Sequence, residues 1–149
     1  MQYIEAISDE KPTYKDILFI AGTISGTEDW QKYMVNGIMD LPITIYNPRR
    51  KTFDVSKKNE SEKQIKWEYD ALRKATLTIF WFAKETLGPI VLFELGSALE
   101  RTDNIIIGAD PKYERVFDIE IQVGLRKPGT KILNSLDKVI LEVRKILTK

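Results

Sequence analysis

The stretch Ile17-Leu-Phe-Ile-Ala-Gly22 decides the fold, because it is short, apolar throughout and ends in glycine. Such a run is typical of a strand buried on both faces of a parallel sheet. Similar runs predict three more strands, at residues 43–46, 77–82 and 105–107. Segments with helical character follow the strands, at residues 29–39, 61–74, 89–101 and about 135–147. Strands and helices therefore alternate along most of the chain.

This alternation predicts parallel pairing through right-handed crossovers. The 149 residues are enough for one domain with a full core. We therefore expect a single α/β domain over residues 1–149: a three-layer open sheet, mostly parallel, flavodoxin-like or Rossmann-like, with four or five strands. Ligands of such sheets bind beyond the carboxyl ends of the strands. A site is accordingly expected in the loops after Gly22, Tyr46 and Phe82.

Composition excludes several classes of protein. Hydrophobic residues make up 43% and charged residues 30%, which excludes a mainly disordered chain. The 23 Lys and Arg nearly balance the 22 Asp and Glu, so duplex nucleic acid is not an expected partner. No apolar run approaches the roughly 20 residues that span a bilayer, and the acidic N-terminus does not resemble a secretory signal. These features predict a cytoplasmic protein with no membrane partner.

The chain contains no Cys and no His. It therefore has no disulfide, no thiolate nucleophile, no Ser-His or Cys-His pair, and no zinc site built on imidazole or thiolate. Catalysis would depend on carboxylates, hydroxyls, amides, Lys or Arg, or on a metal held by oxygen ligands. A carboxylate is the leading candidate for the reactive group.

Glu94 lies near the start of the third predicted helix. It falls at the margin of an apolar arc, formed by Val91, Leu92, Leu95, Ala98 and Leu99. A half-buried carboxylate costs free energy unless it is paired or used. The pattern alone leaves two equal alternatives, a catalytic carboxylate and a glutamate that is hydrogen-bonded to a loop.

Other motifs leave alternatives open. The glycines of residues 22–26 suit either an anion-binding loop or a tight turn. Their spacing matches neither the dinucleotide-binding fingerprint nor the nucleoside-triphosphate loop. Arg49 and Arg50 follow a strand and could clamp an anion or face solvent. On the second helix, Ile65, Tyr69 and Leu72 form the predicted core face, with Trp67 on the far side. Gln64 and Glu68 share one helix face, and residues 51–63 are a predicted surface loop.

Taken together, these segments resemble the nucleoside 2-deoxyribosyltransferase-like family over about residues 17–122. The resemblance is carried by FIAGTISG (19–26), DWQ (29–31), ITIYNPRR (43–50), QIKWE (64–68), IFWF (79–82) and PIVLFELG (89–96). It implies that Glu94 is the nucleophile that attacks the anomeric carbon of a nucleoside and displaces the base. A second base then gives transfer, and water gives hydrolysis. No cofactor and no metal is implied, and the expected partner is a small-molecule nucleoside or nucleotide.

The same resemblance implies the substrate contacts. They are Gly22, Thr23, Asp29, Trp30, Asn47, Arg49, Gln64, Glu68 and Trp81. Among them, Trp30 is expected to offer a stacking surface. A homo-oligomer is also implied, in which a neighbouring subunit completes the pocket, and Trp67 and residues 118–122 are the predicted interface.

Two positions depart from the family pattern. The family usually carries an aspartate just before the central strand, where this chain has Thr76, and well-studied transferases carry another where this chain has Gly88. Two alternatives therefore stay open beside the transferase. One is a nucleoside 5′-monophosphate N-glycosidase, with Arg49 and Arg50 as candidate phosphate contacts. The other is a nucleotide-binding sensor without turnover.

Overall fold

A computed structural model describes residues 1–51 and 58–148. This part of the chain contains the strands β1 (Gln2–Glu5), β2 (Ile17–Gly22), β3 (Thr44–Asn47), β4 (Leu77–Phe82), β5 (Ile105–Ala109) and β6 (Ile132–Leu133). It also contains the helices α1 (Trp30–Ile38), α2 (Lys58–Lys74), α3 (Pro89–Arg101), α4 (Val116–Arg126) and α5 (Leu136–Leu147). None of the helices within these ranges has the length and apolar character needed to cross a membrane.

All the strand pairs are parallel, and the sheet has the order β1-β3-β2-β4-β5-β6. From β3 to β6 this is the flavodoxin-like order, to which β1 adds an edge strand. The predicted α/β class and flavodoxin-like or Rossmann-like fold are therefore confirmed. The chain leaves β2 toward β3 and then returns past β2 to β4, so the direction of winding reverses beside β2. A crevice forms at such a point, beyond the carboxyl ends of the strands.

The sheet has two apolar faces, because successive side chains of each strand point to opposite sides. Phe19 of β2 and Phe80 of β4 belong to the core under α2, α3 and α4. Ile20 and Ile79 belong to the core under α1 and α5. Helices thus cover both faces of the sheet, which gives the expected three layers.

All eight predicted elements are present, and three of them have the observed bounds. Strands β2 and β4 and helix α3 agree with the prediction, whereas β3 begins one residue later and β5 ends two residues later. The sequence pattern did not predict β1, β6 or α4. The two strands lie at the edges of the sheet and carry no continuous apolar run. Apolar residues alternate in the middle of α4, which obscured its helical period.

The predicted core face of α2 is wrong at two of its three residues, because only Leu72 packs against the core. Ile65 and Tyr69 are 65% and 55% exposed, whereas Gln64 and Ala71 are buried. Only a few apolar residues lie on α2, and its buried side includes a glutamine, so the apolar pattern indicated the wrong face. The helix also begins at Lys58, inside the predicted loop of residues 51–63. Residues 52–57 of that loop lie outside the described part of the chain.

Trp67 does not lie on the far side of α2 as predicted. Its ring packs against Phe19 and Tyr46, with centroid separations of 6.3 and 5.6 Å. Its Nε1 donates a hydrogen bond to the Ser8 carbonyl at 3.0 Å. Trp67 therefore links α2 to its own sheet and to the loop after β1, so the predicted role at a subunit interface gains no support.

Candidate active site

A cavity of about 370 Å³ opens at the carboxyl end of β2, between α2 and α3. Phe19 and Ala21 form its floor, and the loop after β2 forms one side. Gln64, Ile65 and Glu68 line it from α2, and Glu94 lines it from α3. This is the place where the winding of the sheet reverses, and where ligands of open α/β sheets bind.

Gly22 allows the loop after β2 to lie close to the first helix. A Cβ atom at this position would lie 2.2 Å from the Trp30 ring and 2.8 Å from the Trp81 carbonyl oxygen. Trp30 Nε1 also donates a hydrogen bond to the Thr23 carbonyl at 3.0 Å. The ring therefore fixes the backbone of the cavity wall from behind.

The start of α3 forms the opposite side of the cavity. Gly88 has a φ of 56°, and a Cβ there would lie 2.6 Å from Thr23 Oγ1. Pro89 is the first helical residue, and no side chain caps the helix. The N–H groups of Ile90 and Val91 belong to the first turn, where no acceptor within the helix is available. Because both residues line the cavity, the positive end of the helix dipole lies at this wall.

Glu94 and Glu68 are electrostatically coupled within this cavity. Burial, reinforced by the charge of Glu68, raises the pKa of Glu94 to about 8. Burial also raises the pKa of Glu68, although the hydrogen bond from Gln64 and the charge of Arg50 oppose this change. The two carboxyl groups therefore hold at least one proton at neutral pH.

Gln64 holds Glu68 in place. Its Nε2 donates one hydrogen bond to the Pro48 carbonyl at 2.8 Å and another to Glu68 Oε1 at 2.5 Å. The amide thereby connects the loop after β3 to the carboxylate one helical turn further along α2. Glu68 is oriented by a neutral group that keeps its hydrogen-bonding capacity at every pH.

Arg49 braces the loops rather than lining this cavity. Its Nε donates to Gln31 Oε1 at 2.9 Å, and its Nη2 donates to Thr27 Oγ1 at 3.2 Å. It also forms an ion pair with Asp29 at 3.4 Å, and Asp29 caps α1. Arg50 forms an ion pair with Glu60 at 3.2 Å. Asp29, Arg49 and Arg50 line a second cavity of about 500 Å³.

The predicted site residues thus fall into three groups. Five surround the cavity between α2 and α3: Gly22, Thr23, Gln64, Glu68 and Glu94. Three line the second cavity: Asp29, Arg49 and Arg50. The other three are buried: Trp30, Asn47 and Trp81.

Those buried residues have structural partners. Trp30 and Trp81 belong to the core under α1 and α5, so Trp30 does not offer the expected stacking surface. Asn47 donates to the Tyr3 hydroxyl at 2.6 Å and accepts a bond from the Arg49 backbone at 3.0 Å. No sequence signal separated these aromatic and amide side chains from ligand contacts, because burial depends on which face of the sheet they occupy.

Several residues of the cavity were not predicted from the sequence. Among them are Thr86 and Ile90. Thr86 lies in the loop after Phe82, where a site was expected. Its polar hydroxyl in that loop could have identified it as a candidate contact. The apolar pattern predicts Ile65 in the core, whereas the orientation of α2 places it at the cavity.

The two departures from the family pattern occupy different parts of the fold. Thr76 precedes β4 at the amino edge of the sheet, where its hydroxyl donates to the Ile17 carbonyl and accepts from the Ile17 N–H. The cavity lies at the opposite, carboxyl edge. Gly88 does line the cavity, and the close approach of Thr23 leaves little space for a side chain there.

The described residues contain no group of three or more Asp or Glu side chains arranged to hold a metal ion. A sequence model described as nucleoside 2-deoxyribosyltransferase like matches residues 15–113. That range extends from just before β2 to just beyond β5, and it includes every residue that lines the cavity between α2 and α3. A search of curated proteins found no match.

Proposed function

The chain belongs to the nucleoside 2-deoxyribosyltransferase-like family, and from this premise we propose that it cleaves the N-glycosidic bond of a nucleoside through Glu94. The sugar then passes to a second base or to water. One observation carries the proposal: two coupled carboxyl groups, Glu94 and Glu68, share a cavity at the carboxyl edge of the sheet. Perturbed carboxyl groups in such a place are characteristic of catalytic sites.

The first step requires an ionised Glu94. Its oxygen forms a bond to the anomeric carbon while the carbon–nitrogen bond breaks, and the electron pair of that bond goes to the base. A fixed carboxylate stabilises the positive charge that develops on the sugar. Because like charges repel, ionisation of Glu94 favours protonation of Glu68. The proton on Glu68 is then available to the departing base.

The second step releases the sugar from Glu94. A nitrogen of a new base, or a water molecule, bonds to the anomeric carbon as the bond to Glu94 breaks. Glu68 accepts the proton that the incoming group loses, which restores the starting state. Phe19, Ile65 and Val91 give the cavity an apolar lining beside the two carboxyl groups.

The proposal is tested with a panel of nucleosides and nucleoside 5′-monophosphates, with and without a second free base, read by chromatography. Glu94→Gln keeps the volume of the side chain and removes its charge, so we expect base release to fall by at least about a thousandfold. Glu100→Gln is the matched control, because Glu100 is an exposed acid on the same helix and pairs with Arg126. It should retain the wild-type rate.

Two results would count against this mechanism. Wild-type turnover in Glu94→Gln removes Glu94 as the nucleophile. Ligand-dependent thermal stabilisation of the wild type, without turnover of any compound in the panel, favours the binding sensor.

A 5′-monophosphate substrate is the second candidate, and the start of α3 favours it. Ile90 and Val91, whose N–H groups belong to the first turn of α3, line the cavity together with Thr23 and Thr86. Backbone N–H groups at a helix N-terminus bind phosphate well. The phosphate would then lie at α3 and not at Arg49 and Arg50, the contacts predicted from the sequence.

Calorimetry of a nucleoside and its 5′-monophosphate distinguishes these locations. Phosphate at α3 predicts a preference for the monophosphate that persists in Arg49→Ala and Arg50→Ala. Loss of the preference in either variant would place the phosphate at the arginines. Equal affinities in the wild type would favour the nucleoside as substrate.

A further inference from the structure

Gln64 has a buried acceptor atom without a donor. The residue is only 5% exposed and lines the cavity between α2 and α3. Both hydrogen-bond donors of its amide are used, by the Pro48 carbonyl and by Glu68. Its Oε1 is buried and receives no hydrogen bond from any residue that the structure describes.

The orientation of this amide follows from its partners. Exchange of the oxygen and nitrogen would place Oε1 against the carbonyl oxygen of Pro48 and a carboxylate oxygen of Glu68, which is repulsive. The acceptor atom is therefore fixed in position. A buried acceptor without a donor costs free energy, and proteins rarely retain one without a use.

We propose that Gln64 Oε1 accepts a hydrogen bond from an amino group on the nucleobase, so that the cavity selects bases that carry one. This inference rests on the proposed function, because it uses the position of the sugar at Glu94. Attack from Glu94 on α3 directs the base to the opposite side of the anomeric carbon, toward the wall formed by α2. Gln64 and Glu68 belong to that wall.

Glu68 and Gln64 would then contact different groups of the base. Glu68 exchanges a proton with the base nitrogen at the glycosidic bond, and its state changes with pH. Gln64 is neutral, so its acceptor is present at every pH. A base without the amino group would leave Oε1 unsatisfied, and sites built for such a bond reject the analogue that lacks it.

The test is binding to the Glu94→Gln variant, measured by calorimetry. Three pairs of 2′-deoxynucleosides serve as probes: deoxyadenosine with purine deoxyriboside, deoxyguanosine with deoxyinosine, and deoxycytidine with its analogue that lacks the 4-amino group. We expect at least one amino compound to bind about tenfold or more tightly than its partner. The same preference should be present at pH 6 and at pH 9, because Gln64 does not titrate.

Gln64→Met, added to Glu94→Gln, has a similar volume but no acceptor oxygen and should reduce that preference to within about twofold. Lys66→Met in the same background is the matched control, since Lys66 is exposed on the same helix and pairs with Glu62. It should leave the preference unchanged. If Gln64→Met fails to fold, as judged by circular dichroism, Gln64→Asn withdraws the acceptor by one methylene and should also weaken the preference.

Three results would overturn the inference. They are equal binding of every amino compound and its partner, a preference for the amino compound that persists after substitution of Gln64, and a change in affinity on removal of the 3′-hydroxyl of the sugar but not on removal of the amino group of the base. Because the assay measures binding without turnover, these outcomes are independent of whether the wild type cleaves nucleosides.

Discussion

At the scale of single residues, the proposed chemistry depends on a proton that Glu94 and Glu68 hold together. The last proton leaves the pair near the raised pKa of Glu94, about 8. The proposed reaction needs one proton on the pair, with Glu94 ionised and Glu68 protonated. Both a fully protonated and a fully ionised pair would be inactive, and a bell-shaped dependence on pH follows.

The pH profile of kcat/KM gives the first prediction. We expect activity to fall as pH rises through about 8, because the pair then loses the proton that the leaving base requires. Glu68→Gln removes this proton and also the charge that contributes to the raised pKa of Glu94. Its profile should lose the falling limb and reach a lower plateau before pH 8. Initial rates between pH 5 and 9.5 provide the measurement.

Glu100→Gln should reproduce the wild-type profile. A wild-type rate that keeps rising above pH 8 would show that Glu94 acts without a proton held by Glu68.

At the scale of elements, close approaches of the backbone fix the position of the cavity. At Gly22, the end of β2 lies close to the Trp30 ring of α1 and to the Trp81 carbonyl of β4. A glycine on the exposed side of α4, Gly124, has nothing within 4 Å of an added Cβ. The two glycines therefore form a matched pair for substitution.

We expect Gly22→Ala to destabilise the protein by about 1–3 kcal/mol, because the new methyl group overlaps a ring and a carbonyl oxygen that are both well packed. Gly124→Ala should stabilise it by about 0.5–1 kcal/mol, because alanine favours a helix over glycine and meets no atom here. Urea denaturation measures both values. An unchanged midpoint in Gly22→Ala would show that the loop after β2 is not held by Trp30.

The elements also show what could be predicted from the sequence. Buried parallel strands such as β2 and β4 carry apolar runs, and Pro89 marks the start of α3. These elements and the position of Glu94 could therefore be predicted from the sequence. The buried face of α2 could not be predicted in this way. Its buried residues are Gln64 and Ala71, whereas the apolar Ile65 and Tyr69 are largely exposed, which departs from the usual pattern. A cavity that needs polar groups inside the fold removes the signal on which sequence analysis depends.

At the scale of the whole molecule, the site lowers stability. The unfolded chain ionises Glu94 near its ordinary pKa of 4.5, whereas the folded protein keeps the proton until about pH 8. Protonation of Glu94 therefore makes its full contribution to the free energy of unfolding below pH 4.5. This contribution is lost as pH rises to about 8. Glutamine at this position does not titrate.

Thermal unfolding should consequently distinguish wild type from Glu94→Gln. We expect similar behaviour of the two proteins below pH 4.5 and a growing advantage in Tm for the variant between pH 4.5 and 8. Circular dichroism melts at half-unit steps of pH measure this difference. A variant that melts below the wild type at pH 9 would contradict the burial of Glu94 as a charged group.

The residues that line the cavity between α2 and α3 all lie between Phe19 and Glu94. The chain from β5 onward supplies a strand, an edge strand and two helices, but no part of that wall among the described residues. If this cavity is the active site, substitutions from β5 onward should change mainly stability and surface contacts, whereas substitutions between Phe19 and Glu94 should change substrate choice. Selection can therefore act on these two properties almost independently.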